Sequence, residues 1–298
     1  MEKAILKTLI YSDIFDYPLK AWEIHKWLIE KKGTLKQIDK ILQKLVKKGK
    51  VDEDKQYFFL KKRKKIVRLR LQKEKISKKY LKKINLILYF LKLIPTLKLI
   101  GISGGLAIGN SGKKDDIDLF IITSSKSVWF SRLLLIFLLN LLGLRRKKGY
   151  TRKKAIGKIC TNIILDEDNL VQLNKDIYVA HEVLQMRILY QKNNIYSRFL
   201  AENNWAFKYL PNWITSSGSK YQVLPILDLK KKSSQNRYII ENTLKALETM
   251  ARWLQIRYMG KPQGLERISN GALYFLPKDY RSSILNAYVR KLKKLSLA

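Results

Sequence analysis

Residues 97–123 read LKLIGISGGLAIGNSGKKDDIDLFIIT, and the fold turns on how this stretch is parsed. Leu97 to Ser103 is an apolar run of strand length, Gly104-Gly105 opens a glycine-rich turn with a short helix, and Asp116 to Thr123 is a second strand. Side chains alternate between the faces of a strand, so Asp116 and Asp118 point one way while Ile117 and Leu119 face a core. Two carboxylates side by side at the entrance of a buried strand repel each other unless a cation sits between them, and the strand holds no lysine to do this. Oxygen ligands with open positions suit magnesium or manganese. Upstream, glycines let backbone amides approach a phosphate without a Cβ in the way, and the helix start adds its positive end. Working outward, an apolar helix near 127–144 and a third strand, KICTNIIL at 158–165, complete an α/β layer with a mostly buried sheet.

The 298 residues include 61 Lys or Arg against 24 Asp or Glu, a formal charge of +37. With 46% hydrophobic residues the chain can bury sizeable cores, which excludes a disordered basic tail. The charge excess points to a polyanionic partner, DNA or RNA before a membrane surface. Cys160 is the single cysteine, which excludes an intrachain disulfide framework and a cysteine-based zinc finger and predicts a reducing, cytoplasmic setting. The unbroken apolar core of the 127–144 segment, Leu133 to Leu139, is too short to span a bilayer, so no stable membrane insertion is expected.

Residues 1–60 hold three helical patterns and a hairpin. The second helix follows Pro18, with Trp22, Ile24, Trp27 and Leu28 as buried positions. The third, from Leu35 to Lys48, places Leu35, Ile38, Ile41, Leu42, Leu45 and Val46 on one face and Lys36, Lys40 and Lys44 on the other. Gly49 stops it, and Val51 to Leu60 predicts a hairpin turning near Asp54-Lys55. This order resembles the winged helix-turn-helix family, which implies phosphate contact with nucleic acid through Lys36, Lys40 and Lys44. Residues 61–96 form a basic helical linker, with 13 bases and one acid, Glu74, between Lys61 and Lys83. Beyond Asn169 the pattern predicts helices over 174–190, 196–209, 237–259 and 278–295. The expected domains are therefore 1–60, 61–96, 97–170 and a helical part at 171–298, an α+β multi-domain chain.

The series Gly104-Gly105, ten residues, then Asp116-Ile-Asp118-Leu at the head of a buried strand resembles the signature of the nucleotidyltransferase superfamily with the polymerase-β-like fold. The order of winged helix, such a core with a small mixed sheet, and a helical C-terminal part is also similar to a group of uncharacterised bacterial proteins. The resemblance implies transfer of a nucleoside monophosphate from a nucleoside triphosphate to an acceptor, with release of pyrophosphate. Asp116 and Asp118 would bind magnesium or manganese as the catalytic pair, and Ser103, Gly104 and Gly105 would hold the β- and γ-phosphates.

One departure matters. Family members usually carry a third carboxylate on the next core strand, where this chain has Asn162. Asp166 shares strand parity with Asn162 and is the candidate to replace it. Without a third carboxylate the alternative is a catalytically degenerate core in a nucleic-acid-binding regulator. His181-Glu182 begins like a zinc-protease helix, but Gln185 stands where the second histidine belongs.

Overall fold

A computed structural model of the chain describes residues 1–147, 149–151, 153–217, 235–259, 265–276 and 278–297. It is a mixed α+β fold. Its first part comprises α1 (Glu2–Asp13), α2 (Ala21–Lys26), α3 (Leu35–Lys47) and a hairpin of β1 (Val51–Asp54) with β2 (Tyr57–Leu60). A reciprocal capping box starts α3: Thr34 Oγ1 accepts from the Gln37 N–H, and the Gln37 side chain accepts from the Thr34 N–H. Gly49 ends it at φ +63°, where the Gly49 and Lys50 N–H groups close back on the carbonyls of Val46 and Leu45. Ile38, Leu42 and Leu45 form its buried face and pack with Ile5, Leu9, Ile24, Leu28, Val51 and Phe58. The hairpin turns at Lys55-Gln56, both at positive φ (50° and 65°), as a two-residue turn matched to strand twist requires. Trp22 departs from expectation and is 55% exposed. Its short helix turns Glu23 and Ile24 inward instead.

Glu23 faces inward because a base meets it there. In α4 (Lys65–Leu91), Arg70 is buried, its guanidinium 2.9 Å from Glu23 and 2.6 Å from Glu74 and stacked 3.7 Å from the centre of the Tyr17 ring. Glu23 also accepts from the Lys20 N–H at 2.9 Å. Farther along the same helix, Ile84, Ile87, Leu88 and Leu91 enter a second core with strand and helix residues that follow. The basic segment is thus one helix that packs at both ends and leaves lysines on its outer side.

The remaining elements are β3 (Leu97–Ile102), α5 (Gly104–Ala107), β4 (Ile117–Thr123), α6 (Val128–Leu141), β5 (Ile159–Asp166), α7 (Ile177–Gln185), β6 (Arg187–Gln191), α8 (Ile195–Glu202), α9 (Ala206–Tyr209), α10 (Trp213–Ser217), α11 (Gln235–Met259), β7 (Arg267–Ile268), β8 (Ala272–Tyr274) and α12 (Tyr280–Lys294). Six strands form one mixed sheet in the order β6-β3-β4-β5-β8-β7. Only β4 and β5 are parallel, joined through α6. Odd-numbered residues of β4 (Ile117, Leu119, Ile121) face α4, α6 and α11, while Phe120 and Ile122 face α7 and α8. The second face also takes Ile10, Tyr11 and Ile29, so the N-terminal helices pack directly on α7 and α12. Asn212 adds a polar clasp there, accepting from the Gly33 N–H at 3.1 Å and donating to the His25 and Gly33 carbonyls.

The C-terminal part is not wholly helical. Three of the six strands, β6, β7 and β8, come from beyond residue 170. The helix expected over 174–190 ends at Gln185, because Met186 takes an extended backbone and Arg187 to Gln191 pair with the open edge of β3. That edge would otherwise leave buried amides unpaired, a constraint that outweighs local periodicity. Ser269 to Gly271 turn β7 into β8, and β8 covers the far edge of β5. Among the described residues no helix is long and apolar enough to cross a membrane.

The Arg70 contacts make a stability prediction. Arg70→Met strands Glu23 as an uncompensated buried carboxylate and is expected to lower unfolding free energy by about 3 kcal/mol. The double variant Arg70→Met, Glu23→Leu should recover most of that loss. Urea unfolding of the wild type and the two variants measures both.

Candidate functional site

The GG turn, the head of β4 and the start of β5 converge. The Ser103 N–H donates to the Asp118 carbonyl at 3.1 Å, tying the end of β3 to β4. Gly104 follows at φ +63°, and a Cβ there would lie 3.1 Å from Asp118 Oδ2. Glycine is favoured by the backbone angle, and a side chain there would also press on the Asp118 carboxylate. Gly105 packs against Asn110, whose N–H donates to the Gly105 carbonyl at 2.7 Å. Asp115, the third acid of the run, turns away to accept the Gly112 N–H at 2.7 Å and shapes the loop.

Across the strands, Asp118 lies opposite Cys160 in the parallel ladder. After the next pair, Leu119 with Thr161, the register steps to Phe120 with Ile163, so Asn162 is a bulge residue. The bulge brings its amide beside Asp118, to which Asn162 Nδ2 donates at 2.5 Å. It also breaks the parity that linked Asn162 to Asp166. Asp166 pairs with Thr123, five residues farther along β4, roughly 16 Å from Asp118 at about 3.3 Å per residue. There it accepts from the N–H groups of Lys126 and Asp168 and from the Asn169 side chain, holding a turn. Asp166 is thus not the third carboxylate of the pair.

Two residues given no role at this site from sequence complete the cluster. Arg146, whose N–H pairs with the Ile159 carbonyl at 2.9 Å, reaches Asp116 with Nη1 to Oδ2 at 2.5 Å. Glu182, on α7, accepts from the Gln185 side chain at 3.0 Å, and the Gly104 amide nearby favours its charged form. His181, next to it, points elsewhere: it stacks on Tyr11 with ring centres 4.2 Å apart, and burial pushes its pKa down to about 3. A signal for Glu182 was present in IYVAHEVLQ, where Tyr178 and Glu182 stand four apart and so share a face of a mostly apolar helix.

Burial raises the Asp118 pKa to about 7, with the Asp116 charge adding to it. Burial also raises Glu182 to about 7. Asp116, Asp118 and Cys160 each offer an atom within 4.8 Å of the others. Burial and the two aspartates push the Cys160 thiol to about 12, so it remains protonated and donates to Asn162 Oδ1 at 2.8 Å. A cation would therefore meet the oxygens of Asp116 and Asp118. A cavity of about 250 Å³ lies on the α7 side, between Ser103, Phe120, Tyr178, Glu182, Tyr274 and Arg281; neither aspartate is among its described lining residues. Lys36 and Lys40 are exposed on α3, outside this cluster, and Lys44 lies 3.2 Å from Glu2. Comparison with protein-family models, with curated proteins and with solved structures finds no match for this chain.

These pKa shifts have a definite sign. Asp118 and Glu182 bind protons more tightly folded than unfolded, so between about pH 4 and pH 7 their contribution to stability falls as pH rises. Asp118→Asn removes that cost and still accepts from Asn162. Thermal unfolding with a chelator present should show the variant more stable than wild type at pH 8, on the order of 1 kcal/mol or about 2 °C, with little difference at pH 4.

Proposed function

We propose that this chain is a metal-dependent nucleotidyltransferase, moving a nucleoside monophosphate from a nucleoside triphosphate to an acceptor hydroxyl. The observation that carries this reading is the Asp116–Asp118 pair, with carboxylate oxygens within 4.8 Å, lying against a glycine turn whose Gly104 stands at φ +63° beside Asp118. Two carboxylates with a neutral amide beside them suit a small, hard dication that keeps sites for water and phosphate oxygen. Magnesium or manganese held by Asp116 and Asp118 would offset the charge of the triphosphate and acidify the attacking hydroxyl. Arg146 balances Asp116 when no metal is bound.

Glu182 takes the part that Asn162 cannot. It lines the cavity beside Ser103, and its pKa near 7 suits a general base at neutral pH. In the step proposed, the acceptor oxygen bonds to the α-phosphorus, its proton passes to Glu182, and the bond to the β-phosphate oxygen breaks to release pyrophosphate. Ser103, Gly104 and Gly105 on the turn would take the phosphates. The N-terminal helices and hairpin are read as a winged helix that holds the acceptor.

The test is transfer from α-labelled nucleoside triphosphates to RNA, protein and small hydroxyl acceptors. Wild type should label an acceptor only with magnesium or manganese present. Asp118→Asn should abolish the label, and Glu182→Gln should reduce turnover by about 100-fold or more. Absence of both nucleotide binding and transfer in the folded wild type overturns the reading.

The exposed Lys36 and Lys40 of α3 favour a second reading, a nucleic-acid-binding regulator with a degenerate core. In that case Lys36→Ala, Lys40→Ala, Lys44→Ala should weaken DNA binding similarly on all sequences. Each lost phosphate contact should reduce the slope of log affinity against log salt by about 1. Fluorescence anisotropy at several salt concentrations gives the slope, and an unchanged slope excludes this role for α3.

A further inference from the structure

A second cavity, of about 610 Å³, lies where β5, α6 and α11 meet, and its walls have an unusual charge. Among its described lining residues four are basic, Arg132, Arg145, Arg146 and Lys147, against one acid, Glu266. Arg132 is 8% exposed. One arm of its guanidinium donates to Gln255, which is fixed by its own bonds to the Trp129 and Ala251 carbonyls. The guanidinium carbon lies 4.6 Å from the centre of the Phe275 ring, which leaves the group stacked and held in place. Its Nε–H is buried with no partner. Among the described residues no carboxylate forms an ion pair with Arg132 or Arg145.

Such an arrangement is costly for the protein alone. An unmet buried donor forfeits about 1 to 3 kcal/mol, more on a charged group. Burial lowers the Arg132 pKa to about 10, with repulsion from Arg145 adding to it and the Glu266 charge partly opposing it. Arginine forks held in place match the oxygens of a phosphate better than those of any ligand without charge. The cavity is also continuous with the chemistry: Arg146 and Cys160 line it, and Arg146 bonds Asp116.

We propose that this cavity is a binding site for a phosphate-bearing ligand, held by Arg132, Arg145 and Arg146. Arg146 is shared, bound to Asp116 when the cavity is empty and turned to the phosphate when it is filled. The site depends on the proposed transferase activity only for its meaning, since a phosphate there comes either from the nucleoside triphosphate or from a phosphorylated acceptor. Anion binding itself needs neither metal nor Asp118.

Calorimetric titration of the full chain with inorganic pyrophosphate, in chelator and 0.15 M salt, tests the proposal. Wild type is expected to bind one equivalent. Arg145→Gln and Arg132→Met should each weaken binding at least tenfold, whereas Lys36→Ala, Lys40→Ala should leave it unchanged. Arg145 is only half-buried, so its variant serves even where loss of Arg132 harms folding. Asp116→Asn frees Arg146 and should tighten binding severalfold, although the same change removes a residue needed for metal-dependent transfer. Asp118→Asn should bind pyrophosphate like wild type while transfer is lost, which separates this site from the catalytic reading. Displacement of pyrophosphate by a non-hydrolysable triphosphate assigns the site to the nucleotide; simultaneous binding assigns it to a phosphorylated acceptor, and both outcomes support it. Absence of pyrophosphate binding, or binding that ignores Arg145 and Arg132, overturns it.

Discussion

Asp118 has a carboxylate withdrawn from water beside a second carboxylate, and much of the surrounding architecture answers that one constraint. Burial alone favours its protonated form, and Asp116 pushes the same way. The opposing terms are local and specific. Asn162 donates to it across a bulge in β5, and Arg146 balances Asp116 from a segment that pairs with the start of that strand. Neither term neutralises the pair fully, which is why the raised pKa survives. A cluster that simply had to be stable would be better served by an apolar pair at these positions. The retained strain in charge is the physical argument for a ligand.

The second constraint is mechanical. The head of β4 holds its position because β3 and β4 are fastened from two sides. Helix α4 buries Ile84, Ile87, Leu88 and Leu91 beneath the sheet and, near its other end, Arg70 among Glu23, Glu74 and Tyr17. The Tyr17 hydroxyl then donates at 2.6 Å to the Ile108 carbonyl, just after α5, and Asn110 donates to the Phe15 carbonyl at 3.1 Å. The loop between the glycine turn and the aspartates is therefore braced by the N-terminal helices. Any movement of those helices on binding a partner reaches the Gly104 to Asp116 loop through two hydrogen bonds rather than through a flexible linker.

How much of this was legible in the sequence depended on the range of the interactions involved. The glycine turn, the alternation in 116–123 and the hairpin at 51–60 are local patterns, and the structure has strands at 97–102, 117–123 and 159–166. What escaped was non-local. RILYQ at 187–191 carries no strong strand signal and extends because β3 has an open edge. Asp166 was placed near Asn162 by strict alternation, which one bulge residue defeats. Arg146 sits in a run of four bases, Arg145 to Lys148, after the apolar helix, and nothing in that run marks which side chain reaches an aspartate. Glu182 was visible only as part of a failed metal motif, although its spacing from Tyr178 gave its face.

The charge excess separates along chemical lines. About three lysines stand for each arginine in this chain, and the two are used differently. The lysines of α3 lie mostly in water, where an ammonium keeps its hydration and a long stem keeps its freedom. Arg63, Arg70, Arg132, Arg146 and Arg281 instead make inward or half-buried contacts, with carboxylates in four cases and with Gln255 in the fifth. A guanidinium is weakly hydrated and planar, so it can be stacked, fixed and only partly satisfied at tolerable cost. In a chain so rich in lysine, an arginine turned inward marks a place where geometry rather than net charge is being set. By that reasoning the +37 is a solvated background, and the directional chemistry lies where Arg146 joins the acids of β4 to the cavity under α6.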